Sequence, residues 1–535
     1  MDSAVNLKDR KYVIISLILS ILYSGAMLYF RYGFENSGII KTALFIVRTV
    51  LMFFLFYKVI IHFTYKLPKF IFADPDKSRK KGLIRNTLLF AIIWLPFVLI
   101  KYPAAIHPDT WQGIWQFRNS QIEVQQPVTY IVSVGLFLKI FGNNAGIFLY
   151  SLIGYLMYSF SFGYLLTYIE KFNISKVTGY VLIFLFAFSP FTFGYIGVVV
   201  KDIQFISALI VFVTLLCELS LQGPLTMKKN VLLFISALIM YLFRPNGLHI
   251  LLIVLLFFII SLIRKKVTIK PAAFIAAAVV CGYVITLALN SAFNVTRPAD
   301  ADKEMLSIPF QQTARFARDY GDEVTDEQKE IINGVIPYDS LAERYDPRIA
   351  DPVRWDYSGD KAALKKYFGV WFEQFMSHPG CYIDAFLEQN YYLLCPITST
   401  DNNAFYEGIT VFYELDNKFD TEGSWMYDPI FSQPETLDTA KAIVSSICLA
   451  MMKLPVPWIT ANAGICDIAL LFCLLMSLFL YRRHSLIYYV PVIAPVLMVM
   501  LAPANHGQPR YLFPVLYLIP LLLIILLKDI SGKNQ

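Results

Sequence analysis

Apolar runs close to twenty residues long recur from one end of the chain to the other, at 12–30, 42–62, 145–169 and 270–290 among others. A run of that length crosses the roughly 30 Å hydrocarbon layer as a helix, with its backbone polar groups bonded internally. Composition points the same way. Of 535 residues, 57% are hydrophobic and only 16% charged, too little polar surface to cover a soluble body of this size. The predicted fold class is an all-α membrane protein.

Charge then sets the topology. Residues 291–440 hold 27 acidic against 12 basic side chains, so the net +7 of the chain hides a surplus of +22 elsewhere. That surplus collects in short loops: Lys8, Arg10 and Lys11; Lys66 to Arg85; Lys171 and Lys176; Lys228 and Lys229; Arg264 to Lys270; Arg482 and Arg483; Lys528 and Lys533. Basic loops between spans mark the cytoplasmic face, and this pattern is not a nucleic-acid footprint. About twelve spans satisfy it: 12–30, 42–62, 84–101, 145–169, 177–198, 202–219, 231–245, 247–263, 271–290, 461–481, 486–503 and 511–527. Both termini are then cytoplasmic. The run 12–30 is too long for the apolar part of a cleavable signal and reads as the first span. Two shorter apolar stretches, 128–141 and 443–455, are read as lying along the outer interface or re-entering it, since a span at 128–141 would invert every later loop.

The chain divides into an N-terminal two-span addition with its loop (1–83), a membrane core with the first outer loop (84–290), an extracytoplasmic insert (291–460) and a C-terminal three-span segment (461–535). The insert is expected to be mostly helical. Thr325-Asp-Glu-Gln328 is a capping box that starts one helix. Leu364, Phe368, Phe372, Phe375 and Met376 recur near helical spacing until His378-Pro379-Gly380 breaks the run, and a second helix is expected over 381–394. Seven cysteines lack metal-ligand spacing; a bridge between Cys381 and Cys395 is the one pairing open to the insert.

With this topology the unusual polar residues fall on one side. The first outer loop carries His107, Asp109, Trp111, Gln112, Trp115, Gln116 and Gln126; later loops carry Lys201 and Asp202, Arg244 and Asn246, and His506 and Arg510. Charged groups at a hydrocarbon edge pair with one another or face water. Carboxylates, cations and amides on one face suit an anionic ligand held by Lys and Arg beside a proton acceptor. Plainer readings stand beside that one. Lys201 and Asp202 are neighbours and can form an ion pair at a helix end; Arg244 can anchor a helix terminus. Asp109 can cap a helix beginning near Thr110. His107 with Asp109 hints at a metal, although no further ligand stands at suitable spacing. Trp111 and Trp115 suit interface anchors or a sugar platform, and His506 a structural role or a base.

The order Tyr102-Pro103, Asp109, Gln112, Gln116, Gln126-Pro127, Lys201-Asp202, Arg244-Pro-Asn246-Gly247 and Arg510-Tyr511, with Tyr345-Asp-Pro347 and His378-Pro379 in the insert, resembles an uncharacterised bacterial family. That family is of the GT-C type of membrane glycosyltransferases, and the resemblance covers most of the chain. It implies a multi-span GT-C-like bundle that takes a sugar from a polyprenyl-phosphate donor to a cell-envelope acceptor. Asp109 falls where the catalytic acid of such enzymes is expected. Lys201, Arg244 and Arg510 would receive the donor phosphate; His107, Gln112, Gln116, Gln126, Asp202, Asn246 and His506 would contact sugar or acceptor. The superfamily often pairs two acids in this loop and can use a divalent metal. Here Asp109 has only His107 two residues before and Glu123 fourteen after. Two additional spans, 12–30 and 42–62, also precede the span that leads into this loop. A transporter, lipid flippase, polysaccharide polymerase or ligase fits the same span pattern.

Overall fold

A computed structural model describes residues 2–32, 39–73, 81–263, 269–396, 431–432, 434–452, 462–480, 486–502 and 512–533. Helices of six or more residues are numbered below. The N-terminal pair α1 (Asp2–Tyr32) and α2 (Ile39–Tyr65) pack on each other. There follow α3 (Leu83–Ile100), β1 (Ala105–Ile106), α4 (Pro108–Arg118), α5 (Val128–Phe141), α6 (Asn143–Ile169), α7 (Lys176–Ala187), α8 (Pro190–Tyr195) and β2 (Val198–Val199). Then come α9 (Lys201–Gln222), α10 (Met227–Phe243), α11 (Pro245–Ile263) and α12 (Ile269–Ala292).

Among the described residues, eight helices are long and apolar enough to cross a membrane: those at Arg10–Tyr29, Ile39–Tyr65, Leu83–Ile100, Asn143–Phe172, Lys201–Gln222, Pro245–Ile263, Ile269–Ala292 and Phe513–Ser531. The protein is an all-α membrane protein. Helix α9 is its centre, buried along nearly its whole length against α6 and α10. An aromatic stack of Phe90, Trp94, Tyr158 and Phe162 joins α3 to α6, with ring centroids 5.0–5.8 Å apart.

At one end of α9, Glu218 is buried and receives Lys171 at 2.7 Å and a close contact from Lys229. Nearby, just past the end of α6, Glu170 takes Arg85 at 2.7 Å and the Asn86 amide at 2.9 Å. Lys201 stands seventeen residues from Glu218, about 26 Å along the axis at 1.5 Å per residue. The two ends of α9 therefore lie nearly a hydrocarbon thickness apart.

Two elements depart from the sequence-based expectation or sharpen it. The span expected at 177–198 is not one helix: α7 stops at Ala187, and Ser189-Pro190 starts the separate short helix α8 before the chain extends into β2. Proline has no N–H for the preceding turn, so the break falls there. The stretch 128–141 is a helix but packs antiparallel on the first turns of α6 beyond Gly142, whose φ of +80° makes the reversal. Ser133 Oγ meets Tyr150 OH at 2.9 Å, and Gly146 lies against the backbone of Phe137 and Leu138. Helix α5 thus lies antiparallel beside the N-terminal part of α6.

The insert folds around α13 (Ser307–Asp319), α14 (Asp326–Asn333), α15 (Lys361–Ser377) and α16 (Pro379–Asn390). Thr325 accepts from Gln328 N at 3.2 Å, so the helix starts where the spacing predicts, but the Gln328 amide turns to Glu373 at 3.3 Å and the reciprocal half of the box is not made. Asp360 caps α15 on Ala362 and Ala363. The break falls at His378, but the second helix begins at Pro379 rather than 381 and closes in a 3-10 turn over Tyr391–Leu393. Phe310, Ile332, Ile336, Leu341, Val353 and Tyr367 make its core. Each such large side chain contributes about 1.5–3 kcal/mol on burial. Cys381 and Cys395 are buried free thiols, so the bridge does not form.

A network ties the insert to the membrane helices. Arg315 of α13 meets Asp384 and Glu388 of α16, and Tyr29 of α1 donates to Asp384 Oδ1 at 2.5 Å. Toward the C-terminal end of the insert lies α17 (Asp438–Met452), and after it α18 (Ala463–Leu480), α19 (Val490–Leu501) and α20 (Phe513–Lys533). The stretch 443–455 falls on α17 up to Met452; its Pro455-Val-Pro457 end lies outside the described residues.

Candidate functional site

Two short extended pieces bring the site together. After α3 the chain runs into β1, which pairs in parallel with β2, Ala105 opposite Val198 and Ile106 opposite Val199. Each strand leads directly into a helix carrying charge: β1 into α4 with His107 and Asp109, β2 into α9 with Lys201 and Asp202. The pairing therefore sets two helix N-termini side by side. Lys101, fully buried at the end of α3, holds the β2 side in place. Its ammonium donates to the carbonyls of Gly194 at 2.7 Å and Ile196 at 2.5 Å. Gly197, the next residue, has φ +74° and sits against Val98 and Lys101, where a side chain would be both strained and crowded.

The result is an ion pair across 92 residues of chain: Lys201 Nζ lies 3.0 Å from Asp109 Oδ2. The same ammonium makes a close hydrogen bond to Gln126 Oε1. Asp109 is one-quarter exposed and Lys201 12% exposed, so the pair stands at an accessible edge of the fold. One residue on, Asp202 is almost fully buried and faces Arg244 Nε at 2.7 Å. The approach is ionic rather than well directed, since neither Asp202 oxygen has a hydrogen bond of normal geometry. Arg244 also lies over the Phe205 ring, 5.6 Å from its centre. Lys201 and Asp202 thus pair with different partners, which corrects the reading of a neighbouring ion pair.

Asp109 is not the helix cap. Helix α4 begins at Pro108 and His107 caps it, the ring Nδ1 accepting from Asp109 N at 3.1 Å. Nδ1 therefore carries a lone pair in this arrangement, and its 3.7 Å approach to Asp109 Oδ1 is not an ion pair. Asp109 in the first turn faces the positive end of the helix and Lys201 together.

Tyr130 of α5 is a site residue that sequence reasoning passed over. Thr110 Oγ1 donates its one proton to Val199 O at 2.6 Å, so Tyr130 OH must be the donor in its 2.5 Å contact with Thr110 Oγ1. Burial, then the Tyr150 hydroxyl, push the Tyr130 phenol up; the Thr110 bond opposes this, and the carboxylates of Asp109 and Asp202 add to it. Both carboxylates therefore act on one hydroxyl. Its only signal in the sequence was an aromatic two residues into an apolar helix, which reads as core.

The other predicted residues divide. Gln116 is buried, with Oε1 lacking a hydrogen-bond partner. Gln112 is half-buried on α4, and Asn246 lies half-buried in the first turn of α11. Glu123 pairs through its backbone with Thr296, tying the loop to the start of the insert. Trp111 packs edge-on to Phe431 at 5.2 Å, while Trp115 is exposed. Arg510 and His506 lie outside the described residues.

Among the described residues, two of the donors a cation would use at this loop are already engaged. Lys201 holds its own positive charge on Asp109 Oδ2, and the His107 Nδ1 lone pair is spent on the Asp109 N–H. Among the described residues no group of three or more His, Cys, Asp and Glu could hold a metal ion.

Fold and site together define an all-α membrane protein with a paired-charge cluster at one end of its central helix. The chain belongs to the family of unknown function DUF6020, which it matches over residues 119–535. Gln126, Lys201, Asp202 and Arg244 lie inside that stretch; His107 and Asp109 precede it. No curated protein and no solved structure matches the chain.

Proposed function

We propose that the protein is a membrane glycosyltransferase of the GT-C type, moving a sugar from a polyprenyl-phosphate donor to an extracytoplasmic acceptor of the bacterial cell envelope. The observation that carries this reading is the partly exposed Lys201–Asp109 pair, with the Asp202–Arg244 pair one residue beyond it on the same helix. The shorter helices α7, α10, α18 and α19 complete a twelve-span bundle with the eight longer ones. Lys171, Lys228 and Lys229 gather at the Glu218 end of α9, so the positive-inside rule turns the Lys201 end outward. Both termini are then cytoplasmic and the insert lies outside.

In this reaction the acceptor hydroxyl loses its proton to the Asp109 carboxylate, and its oxygen bonds to the sugar's anomeric carbon. The bond from that carbon to the donor phosphate oxygen breaks, and the phosphate leaves with the electron pair. Lys201 and Arg244, with the uncapped N-terminus of α9, stabilise the charge that grows there. Gln126, Gln116 and Asn246 are suited to reading sugar hydroxyls.

The test is turnover of a panel of polyprenyl-phosphate sugars by purified protein. Asp109→Asn is expected to lower transfer at least about a hundredfold, the scale of a lost general base, with folding and insertion unchanged. Near-normal transfer by that variant would remove Asp109 from the chemistry.

A second reading, a proton-coupled transporter of envelope precursors, is favoured by Asp467. It is buried in apolar α18 with neither carboxylate oxygen hydrogen-bonded. An intramembrane carboxylate of that kind commonly marks an ion path. Uptake of precursor into vesicles, abolished by Asp467→Asn and untouched by Asp109→Asn, would favour it.

A further inference from the structure

The reading above asks Lys201 to bind a phosphate and Asp109 to take a proton, yet the two side chains hold each other. Lys201 has three N–H donors; Asp109 and Gln126 take two of them. We propose that Lys201 is an exchange clamp: a phosphate oxygen displaces the Asp109 carboxylate from it, so that Asp109 is released as a base only when a phosphate is seated. The inference rests on the glycosyltransferase reading and adds its regulation.

Burial decides which of the two ion pairs can exchange. Asp202 is 2% exposed, and freeing Arg244 from it would leave a carboxylate stranded out of water. Asp109 is 25% exposed, so once released it swings into water or onto an acceptor hydroxyl at little cost. One anion replaces another on the ammonium, and Asp202 keeps Arg244 in place as a fixed second cation. No bond to carbon is made or broken in this step. Gln126 retains its hold on the ammonium throughout and fixes the direction in which the third N–H points.

A carboxylate held on Lys201 is a weak proton acceptor, because the adjacent positive charge favours its ionised form. Freed of that charge, its affinity for a proton rises as the acceptor must give one up. Donor binding therefore strengthens the base, and solvent water meets a clamped carboxylate in the intervals between turnovers.

The experiment measures the affinity of the purified full-length protein for a sugar-free polyprenyl phosphate in detergent micelles. Asp109→Asn, which removes the competing anion, is expected to bind about fivefold tighter than the unaltered protein, the scale of one partly exposed ion pair. Lys201→Gln is expected to bind at least about tenfold more weakly, a lost charge-assisted contact. In the Lys201→Gln background, Asp109→Asn should add nothing, because no clamp remains to compete for. If Lys201→Gln does not fold, Lys201→Arg keeps the cation, and there the gain from Asp109→Asn should persist.

Equal or weaker binding by Asp109→Asn overturns the clamp while leaving the phosphate site standing. A gain of the same size without Lys201 also overturns it, since the effect would then be the general field of the carboxylate. Failure of the unaltered protein to bind the lipid phosphate at all removes the transferase reading, and the clamp with it.

Discussion

Arg315 offers the clearest quantitative test of how the insert is held. Its guanidinium is 5% exposed and faces Asp384, Glu388, Asp319 at 3.2 Å and the Tyr345 hydroxyl at 3.4 Å. Asp384 is itself 3% exposed and takes the Tyr29 hydroxyl from α1. Replacing Arg315 by Met keeps much of the volume but leaves Asp384 without its cation. Removing one partner of a buried ion pair costs about 3–5 kcal/mol, against about 0–1 kcal/mol for an exposed pair. At 1.4 kcal/mol per decade, the local opening equilibrium should rise about a hundredfold to several thousandfold. Amide hydrogen exchange over Ser307–Asp319 and Pro379–Asn390, measured in detergent under conditions where it reports that equilibrium, reads this directly. Adding Asp384→Asn should recover most of the protection, because the stranded charge is gone. A change below about fivefold on Arg315→Met would place the network with ordinary surface pairs and refute the argument that it secures the insert to α1.

Two further outcomes follow from other parts of the fold. Gly146→Ala would put a methyl 2.5 Å from the carbonyl oxygen of Phe137, and backbone cannot yield as a side chain does. The α5–α6 hairpin should lose about 1–3 kcal/mol, seen as a lower unfolding midpoint, and an unchanged midpoint would contradict the close packing. In the insert, the hydrogen bond from Lys361, with added help from Arg297, holds the Asp302 carboxyl below its usual range. A lowered folded-state value stabilises above the unfolded pKa of about 4 and is lost as pH falls through the folded one. Asp302→Asn should therefore remove a small, salt-screened part of the acid sensitivity below that range and leave stability above pH 6 changed only by the lost pair. A larger effect at neutral pH than the pair supplies would show another role.

Periodic features were legible because their cause is local. Apolar length gives the spans, and Thr325 and His378-Pro379 give the helix ends of the insert, since capping and proline act within one turn. The division into a membrane part and a helical insert follows from these. Where a proline and a short extended piece interrupt an apolar run, as at 189–199, length alone misjudged the element. The cap of α4 was misassigned for a similar reason: Asp109 is the better capping type, but Pro108 at the first helical position moved the start by two residues and gave the role to His107.

The residue types gathered at the site were visible in the sequence, and their partners were not. Lys201 adjoins Asp202 in the chain, yet it binds Asp109, because successive residues on a helix point about 100° apart and β1 lies on the other side. What the sequence alone determined is an apolar helical bundle in a bilayer, a separate acidic insert and a set of charges at helix ends. Only the tertiary structure decided which charges meet, through a two-residue parallel ladder, a buried lysine on two carbonyls and one tyrosine. Such contacts have no period and no fixed spacing, and they form only when distant segments are packed to within a hydrogen bond of each other.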